Sequence, residues 1–290
     1  MPATSANLGP GFDSAGLALA LYDDVLVRVT DAGLSVDVAG EGADHVRRDA
    51  RNLVVKTMRE TFDRMGGQPH GLEIICANRI PHGRGLGSSA AAIVAGITAA
   101  RALVLETWTD AQALELATEL EGHPDNVAAC LFGGFTVSWS GIDGVTHFAQ
   151  LPVSDAVKPV AFVPSSQQST SKARGLIPAS IPHQDAAASS ARAMLLPAAL
   201  AGRIDLLMPA TEDLLHQPYR LPSQPSSAAL VAKLRSAGIA AILSGSGPTV
   251  LALAASDTQV EQALGLAGRY HVGHAMPVSR VGATAEFVTV

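Results

Sequence analysis

The sequence is poor in cysteine, in aromatic side chains and in positive charge. Two cysteines, Cys76 and Cys130, stand alone in 290 residues. They cannot form a disulfide scaffold, and neither has a metal-ligand spacing. Both lie in apolar runs, so both read as small buried hydrophobes. Aromatic residues make up 4% of the chain and accompany no basic stripe, which removes the stacking platform of a single-strand binder. Lysine plus arginine is 20 against 26 acidic residues, a net charge of −6. That balance gives no global reason to sit on nucleic acid or on an anionic membrane. Any polyanion must be held by local groups. No basic segment followed by an apolar core opens the chain, so no secretory signal is read. The most apolar helix candidate, Ala90 to Leu105, is alanine-rich, carries Arg101 and falls short of the ~20 residues a bilayer needs. Disorder is excluded as well, because 48% of residues are hydrophobic and 16% charged. The chain reads as a soluble cytoplasmic protein of about two domains.

What is present is a mixture of strand and helix signals. Residues 23–29 and 33–39 alternate as strands do, and 71–77 form a third. Between them, Asn52 to Met65 has helical spacing, closed by Gly66-Gly67. An alanine-rich helix begins near Ser88. Thr109 with Gln112 forms a capping box for another helix, which Gly122 ends. Residues 131–139 return to strand. The pattern weakens over 140–158, which sets a domain boundary near 150: one unit at 1–150, a second at 151–290. The second half reads as a strand at 158–163, helices at 185–201 and 203–216, a proline-rich loop at 217–225, and strands at 239–243 and 249–254. The fold class is α+β in two domains.

Three glycine-bearing segments carry the chemistry. In Pro81-His82-Gly83-Arg84-Gly85-Leu86-Gly87-Ser88-Ser89-Ala90-Ala91, the glycines let backbone approach a ligand closely. Ser88 and Ser89 are good N-cap residues for the helix that follows. Amides gathered at a positive helix end make a phosphate site, and a serine hydroxyl there can reach Mg²⁺. The segment is neither a Walker A loop nor a dinucleotide fingerprint. The second segment, Pro2 to Ser14 (PATSANLGPGFDS), is dense in small and polar residues and reads alone as a turning loop, with Asn7 and Asp13 as turn formers. The third, Leu243-Ser-Gly-Ser-Gly-Pro-Thr-Val250, is a glycine loop between two apolar runs, a hairpin by default.

Taken in chain order, these motifs resemble the GHMP kinase superfamily of small-molecule kinases. The stretches PATSANLGPGFDS, EGHPDN (121–126) and HQPYRLP (216–222) are similar to its homoserine kinase family, and the likeness runs from Pro2 to about Thr284. The resemblance implies a two-domain fold whose first domain contains a left-handed β-α-β crossover. ATP and acceptor would meet in the cleft between the domains, with ATP and Mg²⁺ as cofactors. It also implies phosphorylation of the hydroxyl of L-homoserine in threonine biosynthesis, by a homodimer acting on small molecules. Another carboxylate-bearing alcohol, or a silent binding relative, stays open. Family members carry a strand before PATSANLGPGFD. This chain begins at Met1-Pro2, which implies a first sheet short of that edge strand.

The residues carry over one by one. Residues 81–91 would cradle the ATP phosphates, with Ser88 or Ser89 on the metal. The second metal ligand is a glutamate among Glu115, Glu119 and Glu121, of which Glu115 fits the family spacing to Asp125. Carboxylates at the negative end of the Thr109–Glu121 helix are unfavourable by a few tenths to ~1 kcal/mol each, a cost a bound cation would offset. A zwitterionic acceptor needs a carboxylate for its ammonium and a guanidinium fork for its carboxylate. By motif, Asn7 and Asp13 hold the amino and hydroxyl end. Thr170, Arg174 and Arg220 hold the carboxylate, and His123 lines the same pocket. The catalytic set is Asp125, Asn126 and Arg174. Asp125 acts as a base, or the loose transition state of phosphoryl transfer needs none.

Overall fold

A computed structural model describes residues 1–104 and 108–288. Two sheets are built from the first half of the chain. β1 (Pro2–Ala6), β2 (Ala15–Tyr22), β6 (Phe135–Ser140) and β7 (Thr146–Leu151) form a four-stranded antiparallel sheet in the order β1-β2-β6-β7. β3 (Asp24–Thr30), β5 (Gly71–Asn78) and β4 (Gly33–Gly40) form the second, in the order β3-β5-β4. β4 and β5 are parallel neighbours joined through helix α1 (Leu53–Arg64). Three helices complete this half: α2 (Ser88–Leu103), α3 (Asp110–Glu121) and α4 (Pro124–Phe132).

The second half holds β8 (Lys158–Pro164), α5 (Thr170–Arg174), α6 (His183–Leu200), α7 (Leu207–Ala210), α8 (Gln217–Arg220), α9 (Pro225–Ser236), β9 (Ala240–Leu243), β10 (Val250–Ala254), α10 (Asp257–Leu266) and β11 (His271–Ala275). Its strands make one antiparallel sheet, β11-β8-β10-β9. The chain then turns back. Ser279 N–H donates to Ala18 O, Gly134 N–H to Ser279 O and Ala283 N–H to Cys130 O, stitching residues 277–283 onto the first sheet and α4. No helix among the described residues is long and apolar enough to cross a membrane.

Local chemistry explains most element ends. Asn52 caps α1 by accepting from the amides of Val54 and Val55. Thr109 and Gln112 form the expected capping box, and Gly122 closes α3 in the left-handed region. The two faces of β10 illustrate the period of two. Leu251 and Leu253 enter a core shared with Leu17, Phe135 and Ile93 of the first half, while Val250 and Ala252 pack beneath α9 and α10. The first of these cores is therefore continuous across both halves. Cys76 and Cys130 are buried, and burial pushes their thiols up to about 11 and about 12.

Three expectations are corrected. PATSA is strand β1, fully buried, not a loop. Residues 131 and 132 end helix α4, and strand begins only after Gly133 and Gly134, both at positive φ. The helix expected over 203–216 is a 3-10 turn followed by the short α7. Pro209 lies within it, and the Asp213 carboxylate takes the amides of Leu215, His216 and Gln217 in place of helix carbonyls. The expectation that α2 reaches Leu105 lies outside the described residues.

Candidate active site

All three glycine segments meet around one cavity of about 300 Å³. The backbone knits them together. Thr4 N–H donates to Leu86 O, Gly245 N–H to Ala6 O and Thr249 N–H to Arg84 O. Gly87 takes the N-cap of α2 at φ 72°, and a Cβ there would run into the Thr4 hydroxyl, so only glycine fits. This corrects the expected role of the serines. With Gly87 as the cap, no side chain caps α2. Ser88 and Ser89 instead face the cavity, and Ser89 Oγ donates to Glu121 Oε1 at 2.6 Å.

That contact brings Glu121, rather than Glu115, to the cavity. Glu121, the last residue of α3, lines the cavity, and burial raises its pKa despite the Ser89 bond. Glu119 points away and is paired with Arg64 at 3.0 Å. Glu115 is exposed on α3 and does not line the cavity. The physical reason is helical phase: Glu121 stands roughly 240° around the axis from Glu115.

Asp125 is buried at the start of α4, placed by Pro124 in the first turn. Its Oδ1 accepts from Asn126 N–H at 2.8 Å and lies 2.6 Å from His123 Nδ1. Burial works against a charged His123, yet the Asp125 contact and the nearby Glu121 win, and its pKa is raised. Asn126 Oδ1 accepts from Thr4 Oγ1 at 2.7 Å, which ties α4 to β1.

The other end of the cavity is charged and mixed in sign. Asp13 and Arg174 form a bidentate pair at 2.7 and 2.9 Å. Asn7 donates to Gly245 O at 3.0 Å, and its Oδ1 accepts Asp13 N–H at 3.0 Å. Both Asn7 and Asp13 sit at positive φ, a strained geometry for residues with a Cβ. Arg220 is buried, and its Nη1 approaches Gly245 O at 3.3 Å. Thr170 Oγ1 lies 3.5 Å from Ser246 Oγ. Hence Asn7, Asp13, His123, Asp125, Asn126, Thr170, Arg174 and Arg220 all line one cavity, with Gly83, Gly85, Gly87, Ser88 and Ser89 at its rim. Of the remaining loop residues, Leu86 and Ala90 are buried in the core. Arg84 reaches Ser165 O at 3.2 Å, and Pro81 does not line the cavity.

Gly245 and Ser246 of the third glycine segment complete the wall, together with Gln168 and Ser169, to which sequence reading gave no role. Sequence reading also missed an adjoining cleft of about 320 Å³ that shares Ser88 and Ser89. Val25, Val46, Leu53, Val54 and Ala95 give that cleft an apolar floor, while Asn52, Asn78 and His82 supply polar edges. Such a slot suits a planar heteroaromatic base beside the amide nest. The only available signal was His82 within the glycine segment.

The pattern of the GHMP kinases N terminal domain matches residues 52–134, and that of the GHMP kinases C terminal matches residues 195–265. A homoserine kinase from Streptomyces coelicolor is 57% identical over 98% of this chain and 92% of its own. One from Streptomyces avermitilis is 55% identical, over 98% and 93%. Among solved structures, a homoserine kinase from Cytophaga hutchinsonii superposes with a TM-score of 0.85 at 28% identity, covering 97% of this chain and 94% of that one. A mevalonate kinase from L. major shares the fold, with a TM-score of 0.73 at 18% identity over 97% and 95%. Identity above half across nearly the full length, with both domain patterns in order, means that the chain belongs to the homoserine kinase family of the GHMP kinases.

Proposed function

We propose that the chain transfers the γ-phosphoryl group of ATP to the side-chain hydroxyl of L-homoserine, giving O-phospho-L-homoserine and ADP for threonine biosynthesis. One observation supports this acceptor above others. Asp13, Arg174 and Arg220 converge at one end of the cavity, a carboxylate with two guanidiniums, which is the charge pattern an α-amino acid head group requires. The acceptor's ammonium takes Asp13, and its carboxylate takes Arg174 and Arg220. The hydroxyl then lies towards Asp125 and Asn126, facing the glycine loop. Adenine occupies the apolar cleft, and the amides of residues 83–89 receive the phosphates.

The residues present fit a divalent cation of the kind that relies on substrate. Among the described residues no cluster of three His, Cys, Asp or Glu could hold a metal alone. A Ser89–Glu121 pair beside the nest is what Mg²⁺ needs when phosphate oxygens supply the rest. Glu121 and the serine hydroxyls would hold it, and when bound it neutralises charge on the transferring phosphoryl group. The chain's own residues orient the acceptor. Asp125 already accepts the Asn126 amide and contacts His123 through Oδ1, which makes it a weak base. We read it as an orienting acceptor for the hydroxyl proton. The proton then leaves late, from the phosphorylated oxygen to bulk water, as a loose transition state permits.

A coupled ADP-release assay with Mg-ATP tests the assignment, using L-homoserine, L-serine, L-threonine, mevalonate, shikimate and galactose. Strong turnover on L-homoserine alone is expected. A higher kcat/KM on any other acceptor overturns the reading. Asp125→Asn keeps measurable turnover under the orienting role. A loss of about 10⁴-fold or more with homoserine binding intact makes Asp125 the base instead.

A further inference from the structure

His216 has no solvent exposure and is used by no step above. Its two ring nitrogens face different parts of the site. Nδ1 lies 3.1 Å from Arg220 Nη1, while Nε2 lies 3.0 Å from Gly9 O and 3.3 Å from Asp213 Oδ2. A guanidinium only donates, so Nδ1 must be the acceptor and the proton must sit on Nε2. The hydrogen-bond network thereby assigns one neutral tautomer. Gly9 belongs to the strained loop that carries Asn7 and Asp13. Its own neighbourhood is closed, since a Cβ at Gly9 would meet Thr211 O at 2.8 Å.

The ring is fixed on its face as well. Phe12 stacks on His216 with centroids 5.3 Å apart and planes 24° from parallel. The same phenyl ring receives the guanidinium carbons of Arg174 and Arg220 at 5.5 and 5.4 Å. Two cations are thus brought near one anion-binding point with a shared aromatic face to soften their repulsion. Arg220 uses Nη1 and Nε on His216, Gly245 O and Ala173 O, which leaves Nη2 without a partner among the described residues.

We propose that His216, with Phe12 against its face, is a positioning and specificity-determining residue. It sets the separation between Arg220, which takes the acceptor's carboxylate, and the loop bearing Asp13, which takes its ammonium. It touches neither group and acts through both anchors, so it measures the α-amino acid head rather than the hydroxyl end. This rests on reading Arg220 as the carboxylate partner.

The test compares L-homoserine with 3-amino-1-propanol, which keeps the ammonium and hydroxyl and lacks the carboxylate. In His216→Gln the Nδ1 acceptor is lost. We expect KM for homoserine to rise about tenfold or more, with KM for ATP and for 3-amino-1-propanol changed by less than about twofold. His216→Asn keeps an acceptor near Nδ1 and should recover most of the homoserine KM. Equal losses on both acceptors, or Gln and Asn variants that behave alike, overturn the proposal. If His216→Gln does not fold, Phe12→Leu removes the stacking partner from the partly exposed side and must give the same split between acceptors. Arg220→Lys is the control for the underlying reading. An unchanged homoserine KM there refutes the carboxylate assignment itself, whatever His216 does.

Discussion

Replacing Arg174 by alanine separates substrate recognition from stability. In the substrate-free protein this guanidinium clasps Asp13 at 2.7 and 2.9 Å. The two side chains are 43% and 33% exposed, so the clasp adds no more than about 1 kcal/mol to folding. A zwitterionic acceptor must open it, exchanging one pair for two. Its ammonium replaces Arg174 at Asp13, and its carboxylate replaces Asp13 at Arg174. The new charge-assisted bond to Arg174 contributes about 1.5–3 kcal/mol. Subtracting the clasp leaves a net loss of about 0.5–2 kcal/mol on truncation, or about 2- to 30-fold in homoserine KM. KM for ATP should not move, since Arg174 lies on α5 away from the apolar cleft. Steady-state kinetics with each substrate varied in turn, beside a thermal melt, reads all three quantities. A homoserine KM within about twofold of the parent refutes the reasoning. So does an ATP KM that rises in step, or a melting point that falls by more than about 5 °C.

Gly87→Ala should lose about 2–3 kcal/mol, from a left-handed φ and the displaced Thr4–Asn126 bond. That is about 3–5 °C by calorimetry, and a shift under about 2 °C would contradict the close approach. Glu121→Gln should raise the Mg²⁺ needed for half-maximal rate by about tenfold or more, while Glu115→Gln stays within about twofold in the same titration. His216 has its pKa lowered, chiefly by burial and also by Arg220, against the opposing Asp213 and Asp13. A depressed imidazole holds the fold neutral while the unfolded chain takes a proton. Stability should therefore fall as pH drops below about 6.5, and melts of His216→Gln across that range should lack this component.

What could be read in advance was whatever short-range chemistry decides. The Thr109–Gln112 box and the Gly122 stop needed only three or four residues each, and the structure shows them as expected. The cavity residues Asp13, Arg174 and Arg220 were legible as motif members, though nothing in their spacing shows that Arg174 and Asp13 meet across 161 positions. Linear separation from Asp125 pointed to Glu115 but ignores the direction in which a helix aims each side chain, and it is Glu121 that lines the cavity. The PATSA strand was hidden because its burial on every residue comes from tertiary packing, and five small residues, two of them polar, carry no alternation. The apolar base cleft was invisible for the same reason, since its floor is drawn from β3, α1 and α2.

The returning tail changes how the molecule can be made and how it can move. Ser279 takes the Gly134 N–H and donates to Ala18 O, so these bonds of the first sheet wait until residues 277–283 have left the ribosome. The amino-terminal half cannot finish folding as an independent vectorial unit during synthesis. Mechanically, two covalent crossings connect the halves, one leaving β7 and one leaving β11. A single tether would permit free swivelling. A double one, over a core that both halves share, holds the glycine segments and the arginines in register.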